Sequence, residues 1–285
     1  MDPAQTIWLT VNSASGSYSE AGVAELAAAF AGAGRRVART LSIPEDEVPS
    51  RVALEAAGVD TLAIYTGDGT ANAIVTALSG WAGQVLVLPG GTQNLLAKAL
   101  HGDASASEIV AALGRGDLRA VRRELVRTSQ GDGLCEVLAG PGARWSDVRE
   151  AMREGDIGGV AATLGEAIGE TAGGTLVRIV DPELGKPEGY PAVRFHPADG
   201  LLAVDGYAAD TIAQYAQQGL ALLRRDFREG PHDELGRHPA VTCRSERPIE
   251  LMIDGERRTG AREERFELGQ SPVEFLSLSG QRSGS

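Results

Sequence analysis

The sequence is poor in the features that build small secreted folds, membrane spans or nucleic-acid surfaces. Its two cysteines, Cys135 and Cys243, stand far apart and form no Cys-x-x-Cys pair. That excludes a disulfide framework and argues against a structural zinc site; two reduced thiols are expected instead. No run of about 18 apolar residues occurs, so no transmembrane helix is expected. The opening Met1-Asp2-Pro3-Ala4-Gln5 has no basic stretch leading into an apolar one, so no secretory signal is expected. Positive charge is also short: 27 Lys and Arg face 39 Asp and Glu, for a net charge of −12. This excludes broad nucleic-acid binding and disfavours strong electrostatic attachment to anionic lipid. The local basic groups at Arg35-Arg36, Arg115 to Arg127 and Arg224 to Arg228 read as solvated helix faces. Internal repeats are absent.

What is present describes an ordinary globular chain. Its 285 residues, 42% hydrophobic and 23% charged, suffice for two packed domains. The first part alternates strand-like and helix-like segments. Strands are expected at Thr6 to Val11, Arg36 to Leu41, Thr61 to Tyr65 and Gln84 to Leu88. Helices are expected at Ser19 to Ala33, with Ser19 as its cap, and at Pro49 to Ala57, Thr70 to Leu78, Gln93 to Leu100 and Ser107 to Leu113. Such alternation predicts a parallel sheet covered on both faces, with ligands at the carboxyl ends of its strands. After about Arg119 short β-like runs take over, from Val121 to Arg127 through Val273 to Leu278. Helical stretches interrupt them at Trp145 to Glu154, Val160 to Ile168 and Tyr207 to Arg225. The expected organisation is an α/β nucleotide-binding domain over 1–118, a β-rich, sandwich-like domain over 119–278 and a disordered Gly/Ser-rich tail over 279–285.

Four segments carry chemistry. Thr66-Gly67-Asp68-Gly69-Thr70 follows a strand and opens a helix. Its glycines permit a sharp turn and close approach, and free N–H groups at a helix start suit a phosphate. Asp68 repels phosphate directly, so it fits as a holder of bridging Mg²⁺ or as a base near the transferred group. The plainer alternative is an Asp-Gly turn. Pro89-Gly90-Gly91-Thr92-Gln93-Asn94 repeats the strand–turn–helix setting, with Thr92 either capping the helix or touching phosphate. Asn12-Ser13-Ala14-Ser15-Gly16 leaves room for a ligand after the first strand. Far downstream, Ile253-Asp254-Gly255-Glu256 holds two carboxylates two residues apart. If the segment is extended, both project to one face and can hold a metal or act as base and partner; the alternative is an Asp-Gly hairpin turn.

Taken in order, these segments resemble the diacylglycerol kinase catalytic superfamily, which includes bacterial lipid kinases, sphingosine kinases and ceramide kinases. His196-Pro197-Ala198-Asp199-Gly200-Leu201-Leu202 is similar to the family's Asp-Gly-x-Leu stretch, and Gly230-Pro231-His232 also fits. Ser13 stands where many members have Pro, and Thr66 replaces the first Gly of the commonest form. The resemblance implies an NAD-kinase-like parallel-sheet domain, a sandwich-like second domain, and ATP and Mg²⁺ as cofactors. It implies nucleotide contacts at Asn12, Ser15, Gly16, Thr40 (expected at the end of the second strand), Gly67, Asp68, Gly69, Thr70, Gly91, Thr92 and Asn94. Metal ligation falls to Asp68 and Asp199, and catalysis to Asp254, Glu256 and Asp68, with the base left open within the Asp254/Glu256 pair. The implied reaction moves the ATP γ-phosphate to a lipid hydroxyl, of diacylglycerol, ceramide or a sphingoid base. The protein is then expected in the cytoplasm with peripheral visits to a membrane, and homodimerisation is a further expectation. Two other readings stand beside it. A soluble-substrate kinase of the NAD-kinase type shares Gly-Asp-Gly-Thr but lacks the Pro-Gly-Gly-Thr-x-Asn and Asp-Gly-Glu pair. A non-catalytic nucleotide-binding regulator has no need of the intact acids.

Overall fold

The computed structural model describes residues 6–15, 18–140, 175–207 and 232–278. Gly16, the expected helices at 145–154 and 160–168, nearly all of that at 207–225, the basic group at 224–228, Gly230-Pro231 and the tail at 279–285 lie outside these residues. The chain divides into two compact units, one of residues 1–124 with 270–285, the other of 125–269.

In the first unit the strands are β1 (Thr6–Asn12), β2 (Arg36–Ile43), β3 (Thr61–Thr66) and β4 (Gln84–Pro89), with β5 (Leu118–Val121) following the helices. The helices are α1 (Glu20–Gly32), α2 (Arg51–Ala56), α3 (Asp68–Ala77), α4 (Leu95–His101) and α5 (Ala106–Arg115). Ser19, Ser50 and Ser105 cap α1, α2 and α5 by accepting main-chain N–H groups, so these helix starts are written in the sequence. β1 pairs in parallel with both β2 and β3, and β3 with β4. Strands β1, β3 and β4 are buried along nearly their whole length, as a sheet covered on both faces requires. Ile7, Leu9 and Val11 pack with Leu26 and Phe30 of α1 and Ile109, Val110 and Leu113 of α5.

The second unit contains two six-stranded sheets among its described residues. One holds β6 (Glu124–Thr128), β7 (Gly131–Gly133), β9 (Arg178–Asp181), β10 (Glu183–Leu184), β14 (Ala240–Arg244) and β17 (Glu263–Gln270). The other runs β13 (Asp233–His238), β12 (Leu201–Tyr207), β11 (Ala192–Ala198), β8 (Val137–Ala139), β15 (Glu250–Ile253) and β16 (Glu256–Thr259). One apolar core unites Val126, Val241 and Phe266 of the first sheet with Val137, Phe195, Val204 and Leu251 of the second. Phe195 and Phe266 stack at 4.0 Å between ring centroids, which makes this unit a β-sandwich.

The division differs from the expected one in two places. The run Val121 to Arg127 is not one strand: β5 ends at Val121 in the first unit and β6 begins at Glu124 and joins the second. The last strand, β18 (Glu274–Leu278), returns to the first unit, pairing in parallel with β4 and antiparallel with β5. Sheet membership follows from pairing distant in sequence, which local composition does not encode.

Candidate functional site

The chain leaves β1 to form β2 on one side and β3 on the other. A crevice therefore opens between the carboxyl ends of β1 and β3, the usual ligand position in such sheets. Three of the sequence-predicted segments meet there. Asn12 at the end of β1 donates from Nδ2 to Thr70 Oγ1 at 3.0 Å, across to the first turn of α3. Its Oδ1 accepts from the Ala14 N–H at 3.0 Å, so the amide is fixed at both ends. The turn after β4 lies backbone-to-backbone on the turn after β3. A Cβ on Gly91 would stand 2.6 Å from the Gly67 Cα, and one on Gly90 would stand 2.6 Å from the Tyr65 carbonyl carbon. Asn94, in the left-handed region at φ 53°, closes that turn: its Oδ1 accepts from Gly91 N at 2.6 Å and its Nδ2 donates to Gly91 O at 2.9 Å.

The two helices that open at these turns differ at their N-termini. α3 has Gly67 at its cap position and no side-chain cap; its first intrahelical bond runs from Ala71 N to Gly67 O. The N–H groups of its first turn, with the positive end of the helix dipole, are available to an anion. At α4 the same groups are filled, because Asp68 accepts from Leu95 N at 3.1 Å and Leu96 N at 3.0 Å. Asp68 is thus the tie between the segments that follow β3 and β4. The Gly91 N–H is occupied by Asn94, the N-cap of α4 is Asn94, and Thr92 is exposed within the preceding turn, so Thr92 does not cap that helix.

Around the segment that follows β1, Ser13 takes up the freedom that a proline ring would remove. Its hydroxyl lies 2.9 Å from Ile43 O and 2.6 Å from Glu45 Oε2, and that hydrogen bond holds the exposed Glu45 carboxyl below the usual range. Ser15 is half-buried, and its N–H donates to Asn12 O at 3.2 Å. Thr40 is not at the end of its strand: β2 continues to Ile43, and Thr40 pairs mid-strand with Leu9. The apolar Leu41 and Ile43 simply extend the β pattern.

In the second unit, Asp254-Gly255 is the two-residue turn of the β15–β16 hairpin, with Ile253 opposite Glu256 and φ positive at both turn residues (46° and 92°). The segment is not extended, so the two carboxylates do not share a face in the way an extended strand would place them. Asp254 is buried, and its carboxylate accepts three main-chain N–H groups: Leu134 at 2.6 Å, Cys135 at 2.9 Å and Glu136 at 3.0 Å. Glu256 is exposed on β16. Asp199-Gly200 forms a second Asp-Gly turn between β11 and β12, again with positive φ at both residues; Asp199 is exposed and hydrogen-bonded to Arg237.

Glu136, Arg194 and Asp205 escaped the sequence reading, although His196 and His232 beside them stood in stretches quoted for the resemblance. On β11 and β12, Arg194 donates from Nε to Glu136 Oε2 at 2.8 Å and stands 3.5 Å from Asp205. His196 and His232 flank the same Asp205 at 3.6 and 3.9 Å. Burial and the Arg194 charge hold His196 below the usual histidine range. The signal was present: Arg194, His196 and Asp205 interrupt strands that are otherwise buried.

Fold and site together define a protein of two units, an α/β unit with an uncapped helix N-terminus at its sheet's switch point and a β-sandwich unit. Over residues 6–124 the sequence matches the family model for the diacylglycerol kinase catalytic domain, so the resemblance carried by the motifs holds for this stretch. Two solved structures from Bacillus anthracis str. Sterne share the fold. One, of a diacylglycerol kinase, is 17% identical with a TM-score of 0.65, covering 98% of each chain. The other, described as a "putative diacylglycerol kinase", is 16% identical with a TM-score of 0.65, covering 98% of this chain and 96% of that one. No curated protein matches the sequence.

Proposed function

We propose that this chain is an ATP-dependent lipid kinase that transfers the ATP γ-phosphate to the hydroxyl of a lipid such as diacylglycerol, ceramide or a sphingoid base. The observation that carries the reading is the uncapped N-terminus of α3 at the switch point, inside the stretch that matches the diacylglycerol kinase catalytic domain. Phosphoryl transfer needs positioning and charge neutralisation more than covalent chemistry. The first-turn N–H groups around Gly69 and Thr70 supply both to the ATP phosphates. Thr70 accepts from Asn12, which leaves its own O–H free to donate to a phosphate oxygen. Gly67 and Gly91 keep the floor of the site flat, since a side chain on Gly91 has no room.

Among the described residues no group of three or more His, Cys, Asp or Glu is arranged to hold a metal. Mg²⁺ delivered with ATP needs no such cluster, because it is commonly held by one or two carboxylates, phosphate oxygens and waters. Asp68, in the first turn of α3, would hold it through the lone pairs that Leu95 and Leu96 leave unused, and Asp199, paired with Arg237, is the second carboxylate proposed for it. When bound, the ion neutralises charge on the transferred phosphoryl group. The base that accepts the lipid hydroxyl proton is assigned to the Asp-Gly-Glu turn. Asp254 anchors that turn, and Glu256 is the member with an open carboxylate.

The deciding experiment is a radiolabelled-ATP assay against a panel of lipid acceptors in mixed micelles with Mg²⁺. Labelled lipid from at least one acceptor is the expected result. No labelled lipid from any acceptor, with no thermal shift on adding nucleotide, overturns the reading.

A further inference from the structure

Buried charge is rarely kept for stability alone. Replacing a buried ion pair by apolar groups of similar size is often neutral or stabilising, whereas removing one member is costly. The Glu136–Arg194–Asp205 group is of this buried kind. Glu136 and Asp205 are 3% and 7% exposed, and Arg194 lies between them. Its position matters. β8 pairs with β11 on one side and β15 on the other, so that Leu138 stands opposite both Arg194 and Met252. Just before β8, Glu136 exchanges two main-chain hydrogen bonds with the hairpin turn: its N–H donates to Asp254 Oδ1 at 3.0 Å, and its carbonyl accepts from Asp254 N at 3.2 Å. One residue thus ties the Asp-Gly-Glu turn by its main chain and the Arg194 guanidinium by its side chain.

We propose that Glu136 and Arg194 are positioning residues for the Asp254-Gly255-Glu256 turn, with Asp205 aligning Arg194 from the far side. The inference rests on the catalytic role proposed above for that turn. The geometry gives a directional chain. Asp205 draws one end of the guanidinium, Arg194 Nε fixes the Glu136 carboxylate, and the Glu136 main chain fixes Asp254. The turn itself is short and Gly-containing, and β16 beyond it is an exposed edge strand. The β15–β16 ladder closes the turn, and what grips its base at Asp254 sets its geometry. Acting through the turn and not on the nucleotide, the group is expected to affect turnover rather than nucleotide affinity.

The test compares Glu136→Gln, Glu136→Ala and the double variant Glu136→Met/Arg194→Met, with two readouts. Hydrogen exchange of residues 253–257 reports the order of the turn without reference to activity. Lipid phosphorylation kinetics report its consequence. Glu136→Gln keeps an oxygen for Arg194 and is expected to stay near the wild type in both. Glu136→Ala is expected to speed exchange in the turn and to lower kcat at least tenfold while leaving KM for ATP unchanged. The double variant replaces the ion pair with side chains of similar bulk but leaves buried Asp205 without Arg194, so it is expected to melt below the wild type, with fast exchange in the turn and low kcat. Wild-type protection at 253–257 in the double variant overturns the proposal, whatever its activity, and so does loss of melting temperature without any local change in exchange. Faster exchange in the turn, with a wild type that phosphorylates no lipid, overturns the kinase reading and leaves the positioning role standing. Should Glu136→Ala fail to fold, the double variant and Glu136→Gln decide alone.

Discussion

Two of the acidic residues singled out for catalysis are also anchors, and that changes what their variants report. Asp254 accepts three main-chain N–H groups from within a buried turn. Asp254→Asn aims an NH₂ group at donors, so it should cost on the order of 1–3 kcal/mol of stability besides any chemistry. Glu256 is exposed, so Glu256→Gln should leave the melting temperature within about 0.5 kcal/mol of wild type and report catalysis cleanly. Urea unfolding beside lipid phosphorylation separates the two; an unchanged rate in Glu256→Gln removes it as the base. Asp68→Asn should behave like Asp254→Asn, because Leu95 and Leu96 lose a charged acceptor. His101 offers a different residue-scale test. It is 2% exposed, and burial pushes it down to about 4, a fall that a weak pull from the Val87 main chain does not offset. The folded state keeps the ring neutral while the unfolded chain takes up a proton near pH 6.5. This contribution is therefore complete above pH 6.5 and is lost as pH falls toward 4, by on the order of 3 kcal/mol. Urea midpoints at pH 7, 5 and 4 should show a fall that His101→Leu flattens.

At the scale of elements, the close approach of two turns makes the sharpest prediction. A methyl on Gly91 meets the Gly67 backbone at 2.6 Å, whereas one on Gly67 has its nearest neighbour at 3.9 Å, and Gly67 has a φ of −77° that alanine tolerates. Gly91→Ala should destabilise by roughly 1–3 kcal/mol and blunt any thermal shift given by ATP, while Gly67→Ala should fold normally. Equal melting temperatures for the two would show that the turns are not locked together. Both glycines were visible in the sequence; their contact was not, because it joins segments that are separate in the chain. The same division runs through the whole reading. The α/β alternation of the first unit was legible because periodicity and serine caps are local signals. The charged edge strands β13 and β16 carry no apolar alternation and were missed. The Asp-Gly turn at 254–255 could be read as catalytic pair or hairpin from sequence, and only the pairing of Ile253 with Glu256 shows the hairpin. Asp68 was legible as a functional candidate, but its tie to α4 depends on where two loops meet in space.

At the scale of the whole molecule, the two units differ in how the chain builds them. The second is continuous, 125–269, and among the described residues the strands of both its sheets begin and end within that stretch, save the terminal residues Glu124 and Gln270. The first needs both ends of the chain. β18 sits between β4 and β5 in its sheet, so residues 1–124 alone leave β4 without a neighbour on that side and β5 without any. Phe275 and Leu276, both buried, would be lost from the core as well. An open strand edge beside exposed apolar surface favours association between chains. A fragment of residues 1–124 is therefore expected to be aggregation-prone, although it contains the entire stretch that matches the diacylglycerol kinase catalytic domain. Adding a peptide of residues 270–285 in trans, or fusing it through a flexible Gly/Ser linker after Val121, should restore a monomer with a cooperative thermal transition and an ATP-induced shift. With ligand at about 100 times its Kd, that shift corresponds to about 2.7 kcal/mol. Size-exclusion chromatography and thermal melts check each step. A fragment 1–124 that is monomeric and melts cooperatively without the peptide would show that β18 is dispensable, and the first unit would then end where the sequence first placed its boundary, near residue 118.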